Sequence, residues 1–88
     1  MAYVAYPDVK RVPILTPVSL EKAKEIVGGY VERVVPQHTP GIIFLCNENG
    51  HALDLLHNEH GNKLYGPTSP IVGPIIVFEN RREAKGWL

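Results

Sequence analysis

His57, Glu59 and His60, with His51 nearby and His38 further back, are residue types that hold zinc or nickel. A metal centre needs several convergent ligands, and no second His or Cys pair completes a set. The His57/His60 stretch therefore reads as a solvated loop, and no metal or other cofactor is expected. Cys46 beside a histidine would make a nucleophile–base pair. It also ends the apolar run Ile42–Cys46, which makes it a small buried hydrophobe instead. Ser19 and Ser69 lack a nucleophile elbow, and Ser19 is placed to cap a helix. No base stands beside a nucleophile, so the chain is not expected to be an enzyme.

Other residues suit binding. Gly28-Gly29 would cradle a phosphate with their amides. Phosphate loops precede a helix, however, and these glycines follow one, so they read as helix termination. Tyr30 and Glu32 share a strand face after the glycines, as half-buried sheet residues or as part of a groove. With Gly29, Asn58 and Tyr65 they form a candidate site for a planar, nucleotide-like ligand, held by stacking and hydrogen bonds. Arg81, Arg82 and Lys85 with Trp87 make a basic C-terminal turn or tail over 81–88, suited to an acidic partner or phosphate. Glu79 and Glu83 dilute its field.

The elements that position these residues follow from pattern. The 88 residues make one small domain, assigned to 1–80 with the tail behind it. Eight glycines and eight prolines punctuate the chain into short segments rich in Val, Ile, Tyr and Phe. Tyr3–Tyr6 and Val9–Leu15 read as strands around a Pro7-Asp8 turn, and Pro7 and Pro13 place them at a sheet edge. Ser19–Val27 is the one main helix. Leu20, Ala23, Ile26 and Val27 form its apolar stripe, Ser19 its cap and Gly28 its end. Tyr30–Val35 alternates as a strand, and Ile42–Cys46 suits a central strand buried on both faces. Asn49-Gly50 predicts a type I′ hairpin returning through His51–Leu55. His57–Gly61 reads as loop, Lys63–Tyr65 as a brief strand, Gly66–Pro70 as loop, and Ile75–Phe78 as a core strand. Asn80 and Glu83 have the spacing of a capping box. The expected fold is α+β, an antiparallel sheet of about five or six short strands with one helix packed on one face.

Charge and cysteine content bound the function. Nine basic residues balance nine acidic ones, so neither general nucleic-acid binding nor an anionic membrane surface is expected. No run approaches the length that crosses a bilayer, and no secretory signal is visible. A single cysteine fits a reducing cytoplasm.

Val27-Gly28-Gly29-Tyr30-Val31-Glu32, then Leu45-Cys46-Asn47-Glu48-Asn49-Gly50, Asn58, and Tyr65 ahead of Ile71-Val72-Gly73-Pro74-Ile75-Ile76-Val77 resemble a family of small domains of unknown function. Its members occur mainly in phages, plasmids and their bacterial hosts. The likeness runs from about Leu20 to Phe78. It departs at Leu55-Leu56-His57-Asn58-Glu59, where relatives carry a proline before the asparagine and an arginine after it. It departs again at Gly73-Pro74, where they carry Gly-Thr. The resemblance implies a mobile-element origin and a protein of the host cytoplasm. With the small size and the missing catalytic constellation, it leads to a non-enzymatic accessory protein that binds a host protein, such as a defence or transcription component. A binder of a nucleotide-like small molecule is the alternative. One helix leaves one sheet face bare, so a homodimer through that face or an edge strand is expected.

Overall fold

The computed structural model describes residues 1–37, 39–66 and 70–88. His38 and Ser69, two of the residues weighed above, lie outside them, as does the middle of the Gly66–Pro70 loop. The chain runs β1 (Tyr3–Ala5), β2 (Arg11–Pro13), α1 (Leu20–Val27), β3 (Val31–Val34), β4 (Ile43–Asn47), α2 (Glu59–Tyr65) and β5 (Ile75–Phe78). The five strands form one antiparallel sheet in the order β2-β1-β5-β4-β3.

The most apolar segments occupy the middle. Every residue of β4 and β5 is buried, because both strands are covered on two faces and paired on two sides. Alternation divides their side chains. Ile43, Leu45, Ile76 and Phe78 pack with Val4 and Ala23 on the α1 side. Phe44, Cys46, Ile75 and Val77 pack with Ala5 and Ile71 on the other.

α1 forms where its caps place it. The Ser19 hydroxyl accepts from the Lys22 amide at 3.0 Å. Gly28 takes the left-handed conformation, φ 83°, and donates to the Lys24 carbonyl. The Asn80–Glu83 cap also forms. Asn80 accepts from the Glu83 amide, and the Glu83 carboxylate reaches back to the Glu79 amide.

Three expectations are corrected. His51–Leu55 is not a return strand. Both sides of β4 are already taken by β3 and β5, so a hairpin partner has no place in the sheet. Neither Asn49 nor Gly50 takes the positive φ that a type I′ turn requires. Successive turns form instead, with the Leu53 amide on the Asn49 carbonyl and the Leu55 amide on the Gly50 carbonyl. Secondly, His57–Gly61 is not simply loop, and Lys63–Tyr65 is not a strand. Asn58 caps a second helix, Glu59–Tyr65, which takes in the rest of both segments, and His57 forms an isolated bridge to Val72. Thirdly, that helix lies on the face thought bare, with Leu64 and Tyr65 against the second core cluster. The reason for a dimer through that face therefore falls away.

Candidate binding groove beside an open strand

Asn47 and Asn58 organise the surroundings of the site. Asn47 ends β4 and is 5% exposed. Its Nδ2 donates to the Val27 carbonyl at 3.0 Å, and its Oδ1 accepts from the Asn49 amide at 2.7 Å. A Cβ on Gly29 would stand 3.0 Å from that Nδ2. The Val27-Gly28-Gly29 and Cys46-Asn47 segments thus meet in one knot, which ties the end of α1 to the end of β4.

Asn58 is fully buried. Its Oδ1 caps α2 by accepting from the Gly61 amide, and its Nδ2 donates to the carbonyls of Ala5 and Gly73 at 2.9 and 2.8 Å. Both donors and the acceptor oxygen of its side chain thus have internal partners. A Cβ on Gly61 would approach Ile71 Cγ2 to 2.6 Å, so glycine is needed for α2 to sit on Ile71. Asn58 is a structural residue whose side chain is enclosed in the interior.

Between β3, the end of β4, the turn after it and the segment around Ile71 lies a groove of about 340 Å³. Glu32, Arg33, His51 and Tyr65 bring polar groups to it, and Cys46 and Val72 lie among its apolar groups. His51 Nε2 donates to the Pro70 carbonyl at 3.0 Å, which closes one end. The Cys46 thiol lies 4.0 Å from a Glu32 carboxylate oxygen, the two residues being opposite each other across β3 and β4. Burial first, and the Glu32 charge second, push its pKa up to about 12. It is a protonated thiol near neutral pH and a poor nucleophile.

Of the five residues expected to form a ligand site, Glu32 and Tyr65 share this groove. Gly29 packs on Asn47 and Asn58 is internal. Tyr30 is 65% exposed, with the Lys24 ammonium 5.4 Å from its ring centre.

The basic tail divides. The Trp87 indole donates to the Val18 carbonyl at 2.8 Å and docks on the α1-side core, where Ala84 is fully buried. Lys85 lies with Trp87 near Pro17 and Leu20. Arg81 goes elsewhere, to a second hollow of about 320 Å³ that it lines with Arg33. Arg82 is exposed.

Sequence reasoning missed a third cluster. His60 Nε2 lies 2.6 Å from the Tyr3 hydroxyl, and its Nδ1 lies 3.0 Å from an Arg11 guanidinium nitrogen. Arginine only donates, so Nδ1 accepts and the proton sits on Nε2. Burial, then the charges of Arg11 and Lys63, lower the His60 pKa. Nothing local links residues so far apart in the chain. Among the described residues, no group of three or more His, Cys, Asp or Glu could hold a metal ion. No helix of the described residues is long and apolar enough to cross a membrane.

The family model described as "Domain of unknown function (DUF3846)" matches residues 2–86. No curated protein and no solved structure matches the chain. The chain belongs to the DUF3846 family.

Proposed function

From membership of a family without an assigned activity, we propose that this protein is a non-enzymatic accessory protein of a phage or related mobile element. It acts in the host cytoplasm by binding a host protein, a defence or transcription component. The observation that carries this reading is the polar groove of about 340 Å³ lying against β3, the last strand of the sheet. A groove beside the outer strand of a sheet offers side-chain pockets and main-chain hydrogen bonds together, which suits a polypeptide. The chemistry in the groove supports binding over catalysis. Its thiol is held protonated by burial, and its histidine is turned to a main-chain carbonyl.

A nucleotide-like ligand is the second reading. The groove volume falls within the range of about 300–1,000 Å³ typical of small-molecule sites. Tyr65 supplies an aromatic face there.

Native mass spectrometry of the protein drawn gently from a bacterial lysate tests both. A stoichiometric host protein, lost in Tyr65→Ala or Glu32→Lys, is the expected result. Extra mass typical of a metabolite, lost in Tyr65→Ala, would favour the second reading. A host protein retained in full by both variants would remove the groove from the contact.

A further inference from the structure

β3 ends the sheet, and its outer side is unpaired among the described residues. The Tyr30 carbonyl accepts from the Glu48 amide at 2.8 Å, in register with Val31 opposite Asn47. Hydrogen-bonded pairs alternate along an antiparallel ladder. Glu32 and Val34 therefore bond inward to β4, and the N–H and C=O groups of Val31 and Arg33 point outward. These outward groups have no partner among the described residues.

Charge flanks that edge. Arg33 and Arg81, from β3 and the C-terminal turn, line the hollow of about 320 Å³ together with Val35, Ile42 and Leu88. Neither guanidinium has an ion-pair partner among the described residues. Val35 and Leu88 are both more than half exposed. An apolar hollow between two uncompensated arginines fits a segment that presents an apolar side chain next to a carboxylate.

A second copy is a poor occupant. Opposed residues must share a sheet face, so only alternate registers are open to two β3 strands related by a two-fold axis. The two registers that pair most of the strand set Glu32 opposite Glu32 or Arg33 opposite Arg33. Like charges directly opposite are destabilising.

Resting on the binding role proposed above, we infer that the outer edge of β3 takes an extended, acidic segment of the partner protein as a further strand. Main-chain bonds form at Val31 and Arg33. A carboxylate of the segment pairs with Arg33 and Arg81, and an apolar side chain enters the hollow beside them.

The test pans a library of random peptides, each long enough for one strand, on the whole protein. Selected peptides are expected to alternate apolar residues with Asp or Glu. Val31→Pro removes an outward amide and leaves the β3–β4 bonds, so it should fold, as circular dichroism will check. Loss of a main-chain bond and the fit around it should weaken these peptides by about tenfold or more. Arg33→Ala with Arg81→Ala should do the same without touching the main chain. In the bound wild type, hydrogen exchange should slow at the amides of Val31 and Arg33 and stay unchanged at Glu32 and Val34. That readout stands even if Val31→Pro fails to fold. Selected peptides without acidic residues, or none selected, would overturn the inference. So would self-association that Val31→Pro abolishes, since a second copy would then hold the edge. Peptides that bind Val31→Pro fully but fail on Tyr65→Ala would overturn the edge and leave the groove as the binding site.

Discussion

The two ends of the sheet are built in opposite ways. At one end β2 is closed. The Ile14 amide bonds to the Ala2 carbonyl and the Tyr6 amide to the Lys10 carbonyl, so Arg11 and Pro13 face outward along β2. Pro13 has no amide hydrogen to offer there. Arg11 is drawn to His60 of α2, and Tyr3 of β1 meets the same ring. Asn58 adds a buried bond to the Ala5 carbonyl. At the other end β3 carries outward amides at Val31 and Arg33, while Val31 packs inward on the core under α1. Arg11 leaves an outward amide on β2 as Val31 and Arg33 do on β3, but only the β2 edge adds a proline and a side-chain contact to α2. An open edge is a hazard for aggregation, and natural proteins usually blunt it with charge or proline. Here one edge has both devices and the other has charge alone.

The largest effect should come from removing the buried anchor of the closed end. Asn58→Ala deletes a helix cap and leaves the Ala5 and Gly73 carbonyls without their bonds, which should cost about 3–5 kcal/mol. In a domain this small, urea unfolding should find most of the stability gone. The same measurement on Arg33→Ala at the open edge should show a change within about 0.5 kcal/mol. Equal losses at the two sites would break the contrast.

Gly61→Ala should come next. Its new methyl meets Ile71 Cγ2 at 2.6 Å, and pushing α2 off the sheet should cost about 1–3 kcal/mol by the same assay. Pro13→Thr restores an outward amide at the closed edge. Stability should change little, but sedimentation should reveal new concentration-dependent association if proline is what blunts that edge. A monodisperse variant would show that Arg11 and His60 close the edge unaided.

The smallest effect is a pH dependence confined to the closed end. The folded protein holds His60 below its ordinary value of 6.5, so the unfolded chain binds more protons in that range. Stability from this residue is present above about pH 6.5 and is lost as pH falls through the folded pKa. Protonation also removes the acceptor that Nδ1 offers Arg11. His60→Gln should flatten this part of the stability–pH curve, measured by thermal melts between pH 5 and pH 7. An unchanged slope would place the titration elsewhere.

Much of the fold was legible because its signals are local. Ser19 and Gly28 bound α1 through bonds that span three or four residues. The apolar runs Ile42–Cys46 and Ile75–Phe78 required strands covered on both faces. The Asn80–Glu83 cap is local too. The site was less legible. Glu32 and Tyr65 meet at one groove, but Asn58, chosen for its polarity, turned inward as the cap of an unforeseen helix. That helix is short and carries a glycine, so its own pattern is weak. Its existence depends on Ile71, Ala5 and Gly73, which lie far from Asn58 in the chain.

By itself the sequence determined where the chain turns, which segments must be buried and how α1 begins and ends, because these depend on neighbours within about one helical turn or one strand. Only the tertiary structure decided strand order. Tyr3 pairs with Val77, and β4 pairs with β3 and β5, so β4 had no free side for the segment after Asn49-Gly50. The same pairing left Pro13 outward on one edge and Val31 and Arg33 outward on the other. Such pairings are set by competition among distant strands for a shared core. No local pattern encodes its outcome.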